Sequence, residues 1–176
     1  MNPLLPSAPR LLFAPLSLAD SDFIVTLLGD ADFRRYIGDR GVQHAGDVEA
    51  YLREGPWRCY AEHRFGLLKL TERMSGQPIG IAGLLRRASL SDVDLGYALL
   101  PAFRRRGYAS EACQALLRLA ANDFALTRLV AIVSPGNTRS IATLQRSGFV
   151  YERMIRMPEV VEELRLYGCE LPSPVP

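Results

Sequence analysis

Apolar residues in this chain fall into short extended runs separated by longer stretches of helical spacing. "RLLFAPL" (10–16), "FGLLKLT" (65–71), "PIGIAGLLRR" (78–87) and "VDLGYALL" (93–100) are compact apolar segments bounded by turn residues, which predicts strands. "RLVAIV" (128–133), "FVYERMIRM" (149–157) and "ELRLYGCEL" (163–171) predict three more, and the central extended signal opens earlier, at "RCYA" (58–61). Ala109, Ala112, Cys113, Leu116, Leu119, Ala120 and Phe124 recur at three- and four-residue steps, the spacing of a helix from Gly107 to Phe124. "SLAD" (17–20) reads as a capping box opening a helix that runs to about Leu28, and "DVEAYLRE" (47–54) predicts another. "FRRYIGDRGVQHAG" (33–46) reads as a loop around a short helix, and "TRSIATLQRS" (138–147) as a short helix closed by Gly148.

The order βα(α)βββαβαββ, with short turns at "MSGQ" and "ASLSD", implies a mixed, mostly antiparallel sheet with helices on both faces, an α/β (α+β) fold. At 176 residues and 48% apolar composition the chain suits a single domain with its core between about 10 and 171, followed by a proline-rich, unstructured tail at 172–176. Its net charge of +2 excludes a general affinity for nucleic acid or an anionic membrane, so any basic function must come from local clustering. Cys59, Cys113 and Cys169 form no C-x-x-C pair and only His44 and His63 accompany them, which argues against disulfides and a metal site. With no long apolar run and no signal-like start, a cytoplasmic protein is the expectation.

The charge clusters at "AFRRRGYASEA" (102–112), where three arginines meet Gly-Tyr-Ala at a predicted helix start. A helix start exposes unpartnered N–H groups and the positive end of the helix dipole, so anions bind there readily. Gly107 permits a tight turn, Ala109 keeps the first turn free of bulk, and Arg104, Arg105 and Arg106 supply charge for phosphate. In the preceding strand Val93, Leu95, Tyr97 and Leu99 share one face and Asp94, Gly96 and Ala98 the other, until Leu100 interrupts the alternation. That phase break predicts a β-bulge exposing backbone amides. Amides followed by a phosphate-binding turn suit a ligand carrying both amide groups and a diphosphate, as coenzyme A does.

"LGYALLPAFRRRGYASEA" resembles the acetyl-CoA signature of the GNAT N-acetyltransferase superfamily, Gln/Arg-x-x-Gly-x-Gly/Ala, filled by Arg104, Gly107 and Ala109. The resemblance is nearest to the branch of ribosomal-protein N-terminal acetyltransferases (RimJ/RimL-like). It implies acetyl-CoA as co-substrate with no metal, and backbone groups of Ala98, Leu99 and Leu100 pairing with the pantetheine arm. It further implies that Arg104, Arg105, Arg106, Gly107, Tyr108, Ala109 and Ser110 hold the diphosphate. "SPGNTRSIATLQRSGF" (134–149) is similar to a later segment of that branch, which assigns Asn137 to the cofactor and Ser140 to a place near its sulfur. Taken alone, Asn137 reads as a helix cap and Ser140 as a first-turn hydroxyl.

Amine acetylation needs a neutral amine, donors for the developing oxyanion and a proton for the leaving thiolate. An α-amine with a pKa of about 8 is neutral roughly one time in ten at pH 7, whereas a lysine near 10.4 is neutral less than about once in a thousand. Asp94, on the strand face with small Gly96 and Ala98, is the candidate base acting through water, and Ser140 the candidate thiolate donor. Tyr36, Arg40, Trp57 and Tyr60 are candidates for the acceptor side, with core packing the alternative for Trp57 and Tyr60. The expected partner is an amine, either a small molecule or a protein N-terminus, without nucleic acid or membrane, in a monomer or homodimer. An acyl-CoA sensor of the same fold and an RNA-binding module are the competing readings.

Overall fold

The computed structural model describes residues 2–158 and 160–172, so most of the proline-rich tail lies outside the described residues. Among the described residues, seven strands form one sheet in the order β1-β2-β3-β4-β5-β7-β6. They are β1 (Leu11–Pro15), β2 (Leu67–Glu72), β3 (Pro78–Leu85), β4 (Asp94–Leu99), β5 (Arg128–Val133), β6 (Val150–Ile155) and β7 (Leu164–Glu170). Every neighbouring pair is antiparallel except β4 and β5, which are parallel and share a single registered pair, Asp94↔Val130. Beyond that pair the two strands part, and the sheet opens as a V at its centre.

Helices cover both faces. α1 (Ser21–Gly29), α2 (Ala31–Tyr36), α3 (Val48–Leu52) and α4 (Arg58–His63) fill the segment between β1 and β2, α5 (Tyr108–Asp123) follows β4, and α6 (Thr138–Arg146) follows β5. One apolar cluster joins α5 and α6 to the sheet through Leu116, Leu144 and Tyr167. A second, built on Ile24, Leu27, Phe33, Val48 and Leu52, packs on the opposite face. The capping box at Ser17 is present: its N–H and hydroxyl both donate to Asp20 Oδ2 at 3.0 Å. No helix among the described residues is long and apolar enough to cross a membrane.

Two local expectations are corrected. "RCYA" is helix, because Leu52, Pro56 and Tyr60 are all buried at four-residue steps and extend the face begun in α3. The link between α3 and α4 is a wider π-type turn, Arg53–Trp57, which accommodates Pro56 and its missing N–H. Nor does β4 contain a bulge: its register with β3 runs unbroken from Leu85↔Asp94 to Gly80↔Leu99. Leu100 keeps the alternation, packing with Ala98 on the second cluster, and both are apolar because α1–α3 cover that face. The amides predicted from a bulge are freed instead by the separation of β4 from β5.

Candidate active site

The V between β4 and β5 opens into a cleft of about 1540 Å³, lined by both strands, the starts of α5 and α6, and the α2–α4 segment. Leu100 donates its N–H to Ile79 O at 2.9 Å, which sets the hydrogen-bonding parity of the β3–β4 ladder. Residues 94, 96, 98 and 100 therefore direct their backbone groups to β3, while Leu95, Tyr97 and Leu99 direct theirs toward β5. Past Asp94↔Val130 that side has no ladder partner among the described residues, so the Tyr97 and Leu99 amides face the cleft. Of the three predicted pantetheine-pairing residues, only Leu99 has its backbone turned that way; the N–H of Leu100 is already committed.

The loop from β4 to α5 carries left-handed backbone at Arg105 (φ 62°) and at Gly107 (φ 83°). A side chain is strained in that region, glycine is not, and a Cβ on Gly107 would also lie 3.2 Å from Arg10 Nη2. Gly107 is the N-cap of α5 and offers no side-chain cap, and the first helical bond, Glu111 N–H to Gly107 O, comes one turn in at 3.1 Å. The N–H groups of Tyr108, Ala109 and Ser110 thus have no acceptor among the described residues, at the positive end of a 16-residue helix.

The three arginines separate. Arg104 is anchored inward: its Nε donates to Leu99 O at 3.0 Å, Nη1 to Asp32 Oδ2 at 2.8 Å, and Nη2 to Asp30 Oδ1. Its charge is thereby committed to α2 rather than left for phosphate. Asp32 also accepts from Arg139 in the first turn of α6, so one carboxylate joins the chain beyond β4 to the chain beyond β5 across the mouth of the V. Arg105 and Arg106 are exposed, Arg105 on the cleft and Arg106 with its guanidinium 5.4 Å from the Phe103 ring. Tyr108 is buried, its hydroxyl bonded to Glu72 and its ring under Arg10, so it can offer only its amide.

Arg10 is a contributor that sequence inspection missed. Its backbone N–H and Nε both bond the Glu111 carboxylate at 2.6 Å, and Nη1 donates to Arg106 O at 3.0 Å. These bonds hold the loop against the edge strand. A lone arginine 96 residues away carries no sequence signal of that role.

On the other arm, Asn137 caps α6, its Oδ1 accepting from the Ser140 N–H at 3.1 Å. The Ser140 hydroxyl lies 2.9 Å from the Tyr97 hydroxyl of β4. Asp94 lines the cleft but is only 1% exposed: Oδ2 accepts from Arg87 Nε at 2.7 Å, and Oδ1 has no hydrogen-bond partner among the described residues. Burial pushes the Asp94 carboxyl above its ordinary range, with the Arg87 charge acting in the opposite direction. The open strand face expected around Asp94 is therefore a buried ion pair with one oxygen unused. Tyr36 and Arg40 line the cleft, whereas Trp57 and Tyr60 belong to the core, bonded to Leu16 O and Leu67 O respectively.

Residues 10–150 match the family model described as "Acetyltransferase (GNAT) domain". The chain is 27% identical over 102 residues to the uncharacterized protein YkkB of Bacillus subtilis (strain 168); the match spans 55% of this chain and 59% of that relative. Its fold is that of a GNAT-family acetyltransferase from Bacillus anthracis, with a TM-score of 0.78 at 21% identity over 95% of this chain and 98% of the other. It is also similar to the ribosomal L7/L12 alpha-N-protein acetyltransferase RimL, solved in complex with coenzyme A, with a TM-score of 0.81 at 15% identity over 95% and 97%. The strand separation, the uncapped α5 start and the family match agree: this chain belongs to the GNAT acetyltransferase family.

Proposed function

We propose that the protein transfers an acetyl group from acetyl-CoA to a primary amine, on a small molecule or a protein N-terminus, by direct attack with both bound. The observation that carries this reading is the α5 start, where three unpartnered amides open on a cleft that also exposes the Leu99 amide. Such a row fits an extended ligand with a diphosphate at one end and amides along its length. The amides of Tyr108, Ala109 and Ser110 hold the diphosphate together with Gly107 and the exposed Arg105 and Arg106. Arg104 shapes the site by fixing Leu99 O, and Asn137 and Ser140 border it from α6.

Bound acetyl-CoA supplies an activated acyl carbon. The Leu99 N–H, held by β4 and aimed into the V, polarises the acyl oxygen. Asp94 takes the proton released by the attacking amine through a water, using the oxygen that Arg87 leaves free. A base of this kind suits an amine that is already partly neutral, which favours α-amines over lysine side chains.

Thiol release measured over a panel of amines, including peptides beginning with Ala and Ser, tests the proposal as a function of pH. Turnover with α-amines is expected, and coenzyme A binding without turnover on any amine would instead support an acyl-CoA sensor. Asp94 works as the carboxylate, so kcat/KM falls as pH drops through a pKa above the ordinary 3.8. Arg87→Gln removes the charge that opposes this rise and moves the acid limb to higher pH. Asp94→Asn abolishes the limb and lowers kcat by about 100-fold.

A further inference from the structure

The Tyr97 hydroxyl reaches from β4 to the first turn of α6 and meets Ser140 Oγ at 2.9 Å. This contact ties the two arms of the V on the same side of the sheet as α5, since Tyr97 packs against the α5 cluster. It accounts for an otherwise odd choice, a phenol on a strand face whose neighbours Val93, Leu95 and Leu99 are all buried aliphatics. An apolar side chain at 97 would satisfy the packing equally well. The hydroxyl therefore serves a polar partner.

We propose that Tyr97 is a positioning residue that orients the Ser140 hydroxyl toward the departing sulfur. Ser140 has its backbone N–H fixed by Asn137, but its single hydroxyl proton can rotate among several acceptors. When Tyr97 donates to Ser140 Oγ, that proton can no longer point back along the phenol and turns into the cleft, which Ser140 lines. The reverse polarity, with Ser140 donating to the phenol, leaves the Tyr97 proton to the Ser140 carbonyl at 3.4 Å or to the more distant Thr143 hydroxyl, which already accepts from Arg146 Nη2, each a poorer bond than the one at 2.9 Å. Burial keeps the phenol a donor, its pKa pushed up to about 12.

During transfer the amine nitrogen forms a bond to the acyl carbon, the carbon–sulfur bond breaks, and its electron pair goes to sulfur. The amine proton leaves through Asp94, and the thiolate, hydrogen-bonded by Ser140, takes up a proton from solvent on release. Neither Tyr97 nor Ser140 changes its own protonation state, so the pair needs no resetting between turnovers. This inference rests on the acetyltransferase reading above.

The test compares Tyr97→Phe, Ser140→Ala and the double variant with the unmodified chain, measuring thiol release and, by calorimetry, coenzyme A binding. Tyr97→Phe should lower kcat by about tenfold while KM for acetyl-CoA and coenzyme A affinity stay within about twofold. In the Ser140→Ala background it should cost nothing more, because its effect passes through that hydroxyl. A Tyr97→Phe enzyme with unchanged kcat, or one whose loss simply multiplies that of Ser140→Ala, overturns the inference while leaving the acetyltransferase reading intact. Loss of coenzyme A affinity in step with kcat makes Tyr97 merely structural and overturns it too. If the unmodified chain turns over no amine, the reading and the inference fall together.

Discussion

α5 and α6 begin at equivalent places, each just past the end of one of two parallel strands, yet their first turns are built in opposite ways. At α5 the cap is Gly107 in left-handed backbone, with no side chain to accept, so the amides of Tyr108, Ala109 and Ser110 remain open. At α6 the cap is Asn137, which consumes the Ser140 amide and presents the Ser140 side chain instead. The helix dipole is available at both ends, but the uncapped turn combines it with three free donors, whereas at α6 Gly136 O and Asn137 Oδ1 take the amides of Thr138 and Ser140. One topology thus yields an open row of backbone donors on one arm of the V and a side-chain hydroxyl on the other, and two residues make the difference.

The sharpest way to break this contrast is Gly107→Glu. It forces a side chain into left-handed backbone, crowds Arg10 and brings a negative charge to the open amides, so coenzyme A affinity should fall by at least about 100-fold in a titration. Unchanged affinity would mean that the ligand is held elsewhere. Asn137→Ala is the matching change on the other arm. It should cost about 1 kcal/mol of stability in denaturant unfolding, as cap removal does, with a coenzyme A affinity loss far smaller than that of Gly107→Glu. Equal affinity losses at the two caps would erase the distinction.

Asp32→Asn probes what holds the arms at their spacing. Its carboxylate is partly exposed, so the stability cost should be under about 1 kcal/mol. Losing the bridge between Arg104 and Arg139 should nevertheless raise the coenzyme A dissociation rate a few-fold and make that rate less sensitive to salt, as read by stopped-flow displacement. A dissociation rate unmoved by the substitution would show that α2 does not restrain the mouth of the cleft.

Much of the frame is legible in local residue patterns. The seven strands stand where apolar runs sit between turn residues, and α5 follows its three-to-four spacing, because burial of one face is a local requirement repeated along the element. "RCYA" misleads because four residues cannot distinguish a strand from one turn of helix; only the packed row Leu52, Pro56 and Tyr60 decides. Leu100 misleads for a related reason. Its hydrophobicity reports a cover of helices on the second face, and alternation read from one strand cannot see that cover.

Alone, the sequence determined that a glycine-opened helix start follows a strand, and hence that a row of unpartnered amides exists, because backbone conformation and capping depend on residues adjacent in the chain. The tertiary structure decided which charges face that row. Arg104 is drawn to Asp30 and Asp32 across 74 and 72 residues, Arg10 arrives from 96 residues away, and Asp94 loses its solvent to a neighbouring strand and Arg87. The electrostatics of a side chain depend on what packs around it, and those neighbours come from distant parts of the chain.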